Sequence, residues 1–287
     1  MISAPTLAMI LALISAIMHA TNSVLLKKSH ERLLLRAWMG FGAAIISFPF
    51  IFFVPFPSGN VWIYLGLSGI VHFFYQILLI NSYRLADLTV VYPIARGISP
   101  LMITLGALLF LDEQINLQSG FGIALITSGI LLLAIENGFA SSGSNRSKQL
   151  GIFLALLTGL GITSYTLIDT HGIRLSENLW SYILWYFLIS ENTLMILYLN
   201  RRYKGRLLSA LWPHKGMGLL AAILSLGSYG LALVALRFGP AAQVAAMRET
   251  SVIFGTILGV FFLKERCSWA RVMAAMLVVT GCILTRL

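Results

Sequence analysis

The sequence predicts an all-α membrane protein with ten transmembrane helices, arranged as two inverted-topology repeats of five helices. Three observations predict this class: an apolar composition, ten apolar runs of spanning length, and matched polar residues in the two halves. Hydrophobic residues make up 58% of the 287 residues and charged residues 10%, whereas about a quarter of the residues in a soluble domain are charged. Lipid is therefore the expected solvent for most of the chain.

The net charge of +10 does not indicate a nucleic-acid partner, because the basic residues stand in short clusters between apolar runs. Such clusters are typical of loops that flank membrane spans and meet the anionic cytoplasmic leaflet. The two cysteines, Cys267 and Cys282, show no metal-ligand spacing. We expect a lipid bilayer and a small polar metabolite as partners, and no nucleic acid, metal or cofactor.

Ten apolar runs predict ten spans, since roughly 20 helical residues cross a hydrocarbon core about 30 Å thick. The runs cover residues 5–26, 33–53, 60–83, 88–111, 117–136, 150–170, 179–199, 215–237, 241–263 and 269–286. The first run has no basic segment before it and is followed by nine others, so we interpret it as a span rather than a signal peptide. The Ser- and Gly-rich segment 139–149 predicts a linker.

The two halves, residues 1–138 and 150–287, repeat the same spacing of charged residues. Glu113 follows Arg96 by 17 positions, and Glu265 follows Arg248 by the same 17. Because each half holds five spans, an odd number, the second copy should enter the membrane in the opposite orientation. Inverted repeats give two packings of similar energy, as alternating access requires.

Basic residues are distributed unequally between the two sets of loops. The loops after odd-numbered spans hold 15 of the 20 Lys and Arg residues, the opposite side holds 3, and the remaining 2 lie inside spans. The positive-inside rule therefore predicts that both termini lie outside the cytoplasm.

The segments 83–97 and 236–251, together with the helix-closing Glu113 and Glu265, resemble the drug/metabolite transporter superfamily, in particular its ten-span bacterial EamA-like members. The resemblance covers essentially the whole chain. It implies ten helices around a central cavity, a bacterial inner-membrane location, secondary transport and no nucleotide hydrolysis. It also implies that both termini lie in the cytoplasm, which conflicts with the distribution of Lys and Arg in the loops. For the orientation we follow the Lys and Arg distribution.

Ionisable residues inside the predicted spans are candidates for function, because a charge at a helix centre costs about 2.5–3.5 kcal/mol. Guanidinium groups bind carboxylate, phosphate and phosphonate bidentately, so Arg96 and Arg248 are predicted to bind substrate. Glu191, Glu249 and Asp169 are predicted to carry a coupling proton or to be counter-ions. The alternative is a structural pair, such as Arg248 with Glu249 or Glu191.

Polar residues also recur at helical spacing in the first, third and sixth spans. Such stripes should face protein or water rather than lipid. They either form hydrogen bonds between helices or converge on one shared cavity. The further predicted substrate-binding residues are His19, Asn22, His72, Gln76, Tyr92, Tyr165, Tyr229 and Gln243. Pro93 and Pro100 are expected to interrupt the fourth span around Arg96.

These features predict a secondary active transporter that moves a small anionic or zwitterionic metabolite, amino-acid-like or phosphonate-like, by alternating access. The chain has no Gly-Lys dipeptide and therefore no P-loop, so we expect transport coupled to protons or to exchange, by a monomer or homodimer. The alternative is a flippase for a lipid or lipid-linked precursor. An enzyme is not expected, because the sequence has no nucleophile–base set.

Overall fold

The structure is a computed structural model that describes residues 3–86, 88–138, 145–191, 193–263 and 268–286. Within these ranges the chain forms thirteen α-helices. They are α1 (Ala4–Lys28), α2 (Arg32–Ser47), α3 (Gly59–Leu85), α4 (Leu88–Phe110), α5 (Leu117–Gly138), α6 (Asn145–Leu175), α7 (Leu179–Trp185), α8 (Thr193–Arg202), α9 (Leu207–Leu211), α10 (Lys215–Phe238), α11 (Ala241–Arg248), α12 (Ser251–Leu263) and α13 (Trp269–Arg286).

Over the described ranges, the helices form ten consecutive segments that follow the ten predicted spans. A 3-10 turn, Phe48–Phe53, extends α2, a second one, Trp212–His214, joins α9 to α10, and a π-helical turn, Tyr186–Ser190, follows α7. Among the described residues, seven segments are long and apolar enough to cross a membrane. Residues 139–144 of the predicted linker lie outside the described residues, and α6 begins at Asn145, inside that linker.

Asparagine side chains fix the beginnings of two helices. The Asn116 Oδ1 atom accepts the N–H of Ser119 at 2.7 Å before α5, and the Asn178 Oδ1 atom accepts the N–H of Ser181 at 2.9 Å before α7. Because the first turn of a helix has no intrahelical acceptors for its N–H groups, these caps stabilise the start of each element.

Small residues are buried and large apolar residues are exposed along α1. The buried positions include Ala8, Ala12, Ala16 and Ala20, whereas the exposed ones are Leu7, Ile10, Ile14 and Ile17. This arrangement is typical of membrane helices, since lipid solvates large apolar side chains and small residues allow close approach of helices.

The chain divides into two compact units, and each unit is drawn from both halves of the sequence. Unit 1 consists of Met1–Phe73 and Ile168–Phe238, and unit 2 consists of Phe74–Leu167 and Gly239–Leu287. The helices α3 and α6 contribute to both. The compact units are therefore a different division of the chain from the predicted repeats.

Candidate functional site

The ninth segment is interrupted between α11 and α12, in unit 2. The Thr250 hydroxyl donates to the Met247 carbonyl at 2.7 Å, and the Thr250 N–H bonds to the same carbonyl at 3.2 Å. The Glu249 N–H bonds three residues back, to the Ala246 carbonyl, at 3.1 Å. A hydroxyl that binds the helix backbone competes with regular helical bonding. The resulting tight turn carries Glu249.

The Arg96 guanidinium on α4 forms a buried, bidentate ion pair with Glu249. Its Nη2 atom lies 2.9 Å from Glu249 Oε1, and its Nε atom donates to Glu249 Oε2 at 3.2 Å. The Nη2 atom also donates to the Ser251 hydroxyl at 3.4 Å. Arg96 is 8% exposed and Glu249 is 5% exposed, so the charges are shielded from solvent. We refer to Arg96, Glu249 and Ser251 as the ion-pair cluster.

Three tyrosines of unit 2 lie near the Arg96 guanidinium. The phenols of Tyr92, Tyr165 and Tyr75 lie within electrostatic range of the Arg96 guanidinium. The rings of Tyr75 and Tyr165 meet edge to face with their centroids 5.5 Å apart. Arg248 ends α11 and is half-buried. The predicted substrate-binding residues Tyr92, Tyr165 and Arg96 are thus brought together with Glu249.

Helix α4 is continuous from Leu88 to Phe110, so the expected interruption at Pro93 and Pro100 is wrong. Pro100 has no N–H to donate to the carbonyl four residues before it, which is that of Arg96. The Thr104 hydroxyl donates to the Pro100 carbonyl at 2.7 Å, one turn further on. The interruption lies instead in the segment that carries Glu249.

A second group of polar residues is buried in unit 1. The Asp169 carboxylate on α6 accepts a hydrogen bond from the Tyr229 hydroxyl on α10 at 2.6 Å and from the Tyr182 hydroxyl on α7 at 3.1 Å. Asp169 and Tyr182 are 0% exposed, and Tyr229 is 8% exposed. One carboxylate therefore connects three helical segments.

His72 on α3 belongs to the same group. Its Nδ1 atom lies 3.0 Å from the Ser68 carbonyl, which can only accept, so this nitrogen carries the proton in the neutral ring. The Nε2 atom then accepts from the Tyr186 hydroxyl at 3.0 Å. The rings of Tyr186 and Tyr229 have centroids 5.0 Å apart. We refer to Asp169, Tyr182, Tyr229, His72 and Tyr186 as the aspartate cluster.

The remaining predicted site residues differ in burial and in their hydrogen bonds. His19 on α1 is half-buried, and Gln76 on α3 is buried. Hydrogen bonds run from Asn22 Nδ2 to the Ala221 carbonyl (3.4 Å), from Gln243 Nε2 to the Ser119 hydroxyl (3.3 Å) and from the Ser225 hydroxyl to Glu191 Oε1 (3.3 Å). The prediction missed Tyr182, Tyr186 and Ser251. The spacing of the two tyrosines, four residues apart on one helix face, is the signal that could have found them.

Glu113 has a local structural role. Its Oε1 atom accepts the backbone N–H of Ala241 at 2.8 Å, at the first turn of α11. A carboxylate at a helix N-terminus balances the positive end of the helix dipole. Its repeat equivalent, Glu265, lies outside the described residues.

Comparisons with known proteins show which proteins the chain is similar to. An uncharacterized transporter in the cobO 3' region of Sinorhizobium sp is 34% identical over 77 residues, which are 27% of this chain and 54% of that protein. The matched part thus spans about half the length of this curated relative. A crystal structure with 15% sequence identity superposes with a TM-score of 0.71 and covers 99% of this chain and 98% of that one, which shows the fold. The EamA-like transporter family matches residues 6–135 and again residues 149–287, and the chain therefore belongs to this family of multi-pass membrane transporters.

Proposed function

We propose that the protein is a secondary active transporter of a small anionic or zwitterionic metabolite, such as an amino-acid-like or phosphonate-like solute. The observation that carries this proposal is the bidentate pair between Arg96 and Glu249, buried beside a helix interruption. A substrate carboxylate or phosphonate offers the same paired oxygen acceptors as the Glu249 carboxylate. It can therefore replace Glu249 at the guanidinium.

Replacement of one anion by another keeps Arg96 paired during binding. Removing a partner from a buried ion pair without replacement costs about 3–5 kcal/mol. Once displaced, Glu249 is available to the ammonium group of a zwitterion. Substrate binding would thereby release the α11–α12 turn from α4, which links occupancy of the site to the packing of unit 2.

The proposed transport cycle is alternating access by two inverted repeats, residues 1–138 and 150–287, driven by a proton gradient or by exchange. The lack of a Gly-Lys dipeptide supports a gradient rather than nucleotide hydrolysis. One set of loops holds 15 Lys and Arg residues and the opposite set holds 3. This distribution supports termini outside the cytoplasm, in a protein of the bacterial inner membrane.

A ligand screen on the purified protein tests the proposal. The thermal unfolding midpoint is measured with amino acids, organic phosphonates, sugar phosphates, cations and lipids of increasing acyl length. A ligand that binds the folded state raises the midpoint, by the equivalent of about 2.7 kcal/mol at a concentration of 100 Kd. We expect anionic or zwitterionic solutes to raise it.

Two matched arginine variants identify the binding group. Arg96→Lys keeps the charge for Glu249 but loses the planar fork, so it should fold and lose most of the ligand-induced shift. Arg202→Lys, at an exposed position on α8, should keep the shift. An equal shift in both variants would rule out Arg96 as the anion-binding group, and a shift that grows with acyl length would indicate a flippase.

A further inference from the structure

We propose that the aspartate cluster of unit 1 is the proton-binding site of the transporter, with Asp169 as the group that gains and loses the proton. This inference rests on the proposed function, because a gradient-driven transporter needs a coupling ion. It assigns that ion to residues separate from the ion-pair cluster.

The surroundings of the two buried carboxylates differ. Glu249 has its charge balanced by the Arg96 guanidinium at 2.9 Å. Asp169 instead accepts hydrogen bonds from two neutral phenols and contacts the Ser68 hydroxyl, and among the described residues no Lys, Arg or His is recorded in an ion pair with it. A charge without a counter-ion is costly inside a membrane, while hydrogen bonds from phenols favour the charged form. These opposing effects make Asp169 a group that can exchange a proton.

The elements that carry the aspartate cluster also hold other titratable or charged residues of unit 1. They include Tyr64 on α3, Glu191 after the π-helical turn, Arg237 on α10, and His171 and Arg174 on α6, and Arg36 on α2 lies within electrostatic range of His72. Both arginines at the helix ends are engaged with backbone carbonyls. Arg174 Nε donates to the Leu236 carbonyl at 3.1 Å, and Arg237 Nη1 donates to the carbonyls of Ile173 and Arg174.

His72 is the other group of the cluster that could take a proton. In its neutral form both ring nitrogens are satisfied, by the Ser68 carbonyl and by the Tyr186 hydroxyl. A proton on Nε2 would require the Tyr186 hydroxyl to reverse and give up its donation. A proton on His72 would create a buried charge, whereas a proton on Asp169 removes one, so Asp169 is the better proton acceptor in this arrangement.

Protonation of Asp169 changes how the carboxyl group holds its neighbours. The charged carboxylate accepts from both Tyr182 and Tyr229, whereas the neutral acid carries one O–H donor. The proton comes from water, and the charge-assisted hydrogen bonds from the two phenols become bonds to a neutral acid, which are about half as strong. The links from α6 to α7 and to α10 are therefore weakened.

The seventh segment is the element able to respond to that change. Tyr182 lies one turn before the π-helical turn Tyr186–Ser190, where the backbone departs from regular α-helical bonding, as it often does at functional sites. Asp169 is six residues before the end of α6 at Leu175, or about 9 Å by helical rise. A proton thus has a short distance to travel from one end of α6.

Infrared difference spectroscopy of the protein in lipid nanodiscs tests the assignment without a substrate. The protonated-carboxyl band is followed as the pH is lowered, in choline chloride and again in sodium chloride. Because the chain has ten Asp and Glu residues, other carboxyl groups contribute to this band as well. We expect one titrating component of the band that is present in the wild type, absent in Asp169→Asn and kept in Glu249→Gln. A component lost in Glu249→Gln and kept in Asp169→Asn, or equal spectra of wild type and Asp169→Asn, overturns the proposal.

Tyrosine variants keep the test decisive if Asp169→Asn does not fold. Tyr229→Phe removes one hydrogen-bond donor to the Asp169 carboxylate. The titration midpoint of the Asp169 component of the band should therefore move to higher pH by about one pH unit. Tyr198→Phe, at an exposed position on α8, should leave it unchanged. Equal midpoints in wild type and Tyr229→Phe, or loss of the band on adding sodium, would overturn the proton assignment. A titrating Asp169 with no solute shift in the ligand screen would instead remove the proposed substrate class.

Discussion

Arg96 carries the buried guanidinium on which the proposed function rests, and its Nε and Nη2 atoms contact Glu249 and Ser251. Two of its nitrogens, Nε and Nη2, each contact one oxygen of the Glu249 carboxylate. A guanidinium group binds carboxylates and phosphonates with this same bidentate geometry. The pair is separated by 153 residues in sequence. A buried pair of this kind holds together only while both charges are present, which makes it sensitive to a competing anion.

A double-mutant cycle measures this dependence. Arg96→Gln removes the guanidinium that pairs with the buried Glu249 carboxylate and should destabilise the protein by about 3–5 kcal/mol. The double variant Arg96→Gln with Glu249→Gln removes both charges and should recover most of that loss. The thermal unfolding midpoint in detergent is the measurement. Additive effects of the two substitutions would show that the side chains do not interact.

The charged members of the site could be predicted from the sequence, but their partners could not. Arg96, Glu249 and Asp169 stand out because ionisable residues within apolar runs are rare. From the sequence we expect Arg248 as the alternative partner of Glu249, whereas Arg96 forms the ion pair in the structure, because α4 packs against α11. Tyr182 was not identified because a tyrosine near the end of a span has an interfacial explanation.

At the level of helices, glycines set the closest approach between elements of unit 2. Gly122 on α5 faces Gly281 on α13, and a Cβ atom built on Gly281 would lie 2.5 Å from the Gly122 carbonyl oxygen. In contrast, a Cβ atom on Gly255 of α12 would have no neighbour within 4 Å. The apolar runs predict where helices lie, but they do not distinguish a packed glycine from an open one. The interruption at Glu249 was likewise not predicted, because no proline or glycine marks it.

Alanine substitutions at Gly281 and Gly255 should affect the stability of the protein differently. Gly281→Ala forces α5 and α13 apart and should cost about 1–3 kcal/mol. Gly255→Ala meets no atom and gains helix propensity, so it should be neutral or stabilise by up to about 1 kcal/mol. Thermal unfolding midpoints of the two variants check the difference. Equal midpoints would contradict the close contact between α5 and α13.

The whole molecule combines features that sequence reasoning reaches and features that it does not. Ten segments and the family follow from apolar length and from the repeated spacing of charged residues. The division into two compact units, each drawn from both halves, depends on contacts between distant residues that no local pattern specifies. The ion-pair cluster lies in unit 2 and the aspartate cluster lies in unit 1, so anion binding and proton binding are assigned to separate groups of residues.

Uptake into proteoliposomes tests the central claim, that Arg96 binds the anionic group of the transported solute. The solute with the largest shift in the ligand screen is supplied to wild type, to the neutral double variant Arg96→Gln with Glu249→Gln, and to Arg202→Lys. Charge-assisted hydrogen bonds contribute about 1.5–3 kcal/mol, so uptake by the neutral variant should fall about tenfold or more while it remains folded. Wild-type uptake by the folded neutral variant would contradict the account.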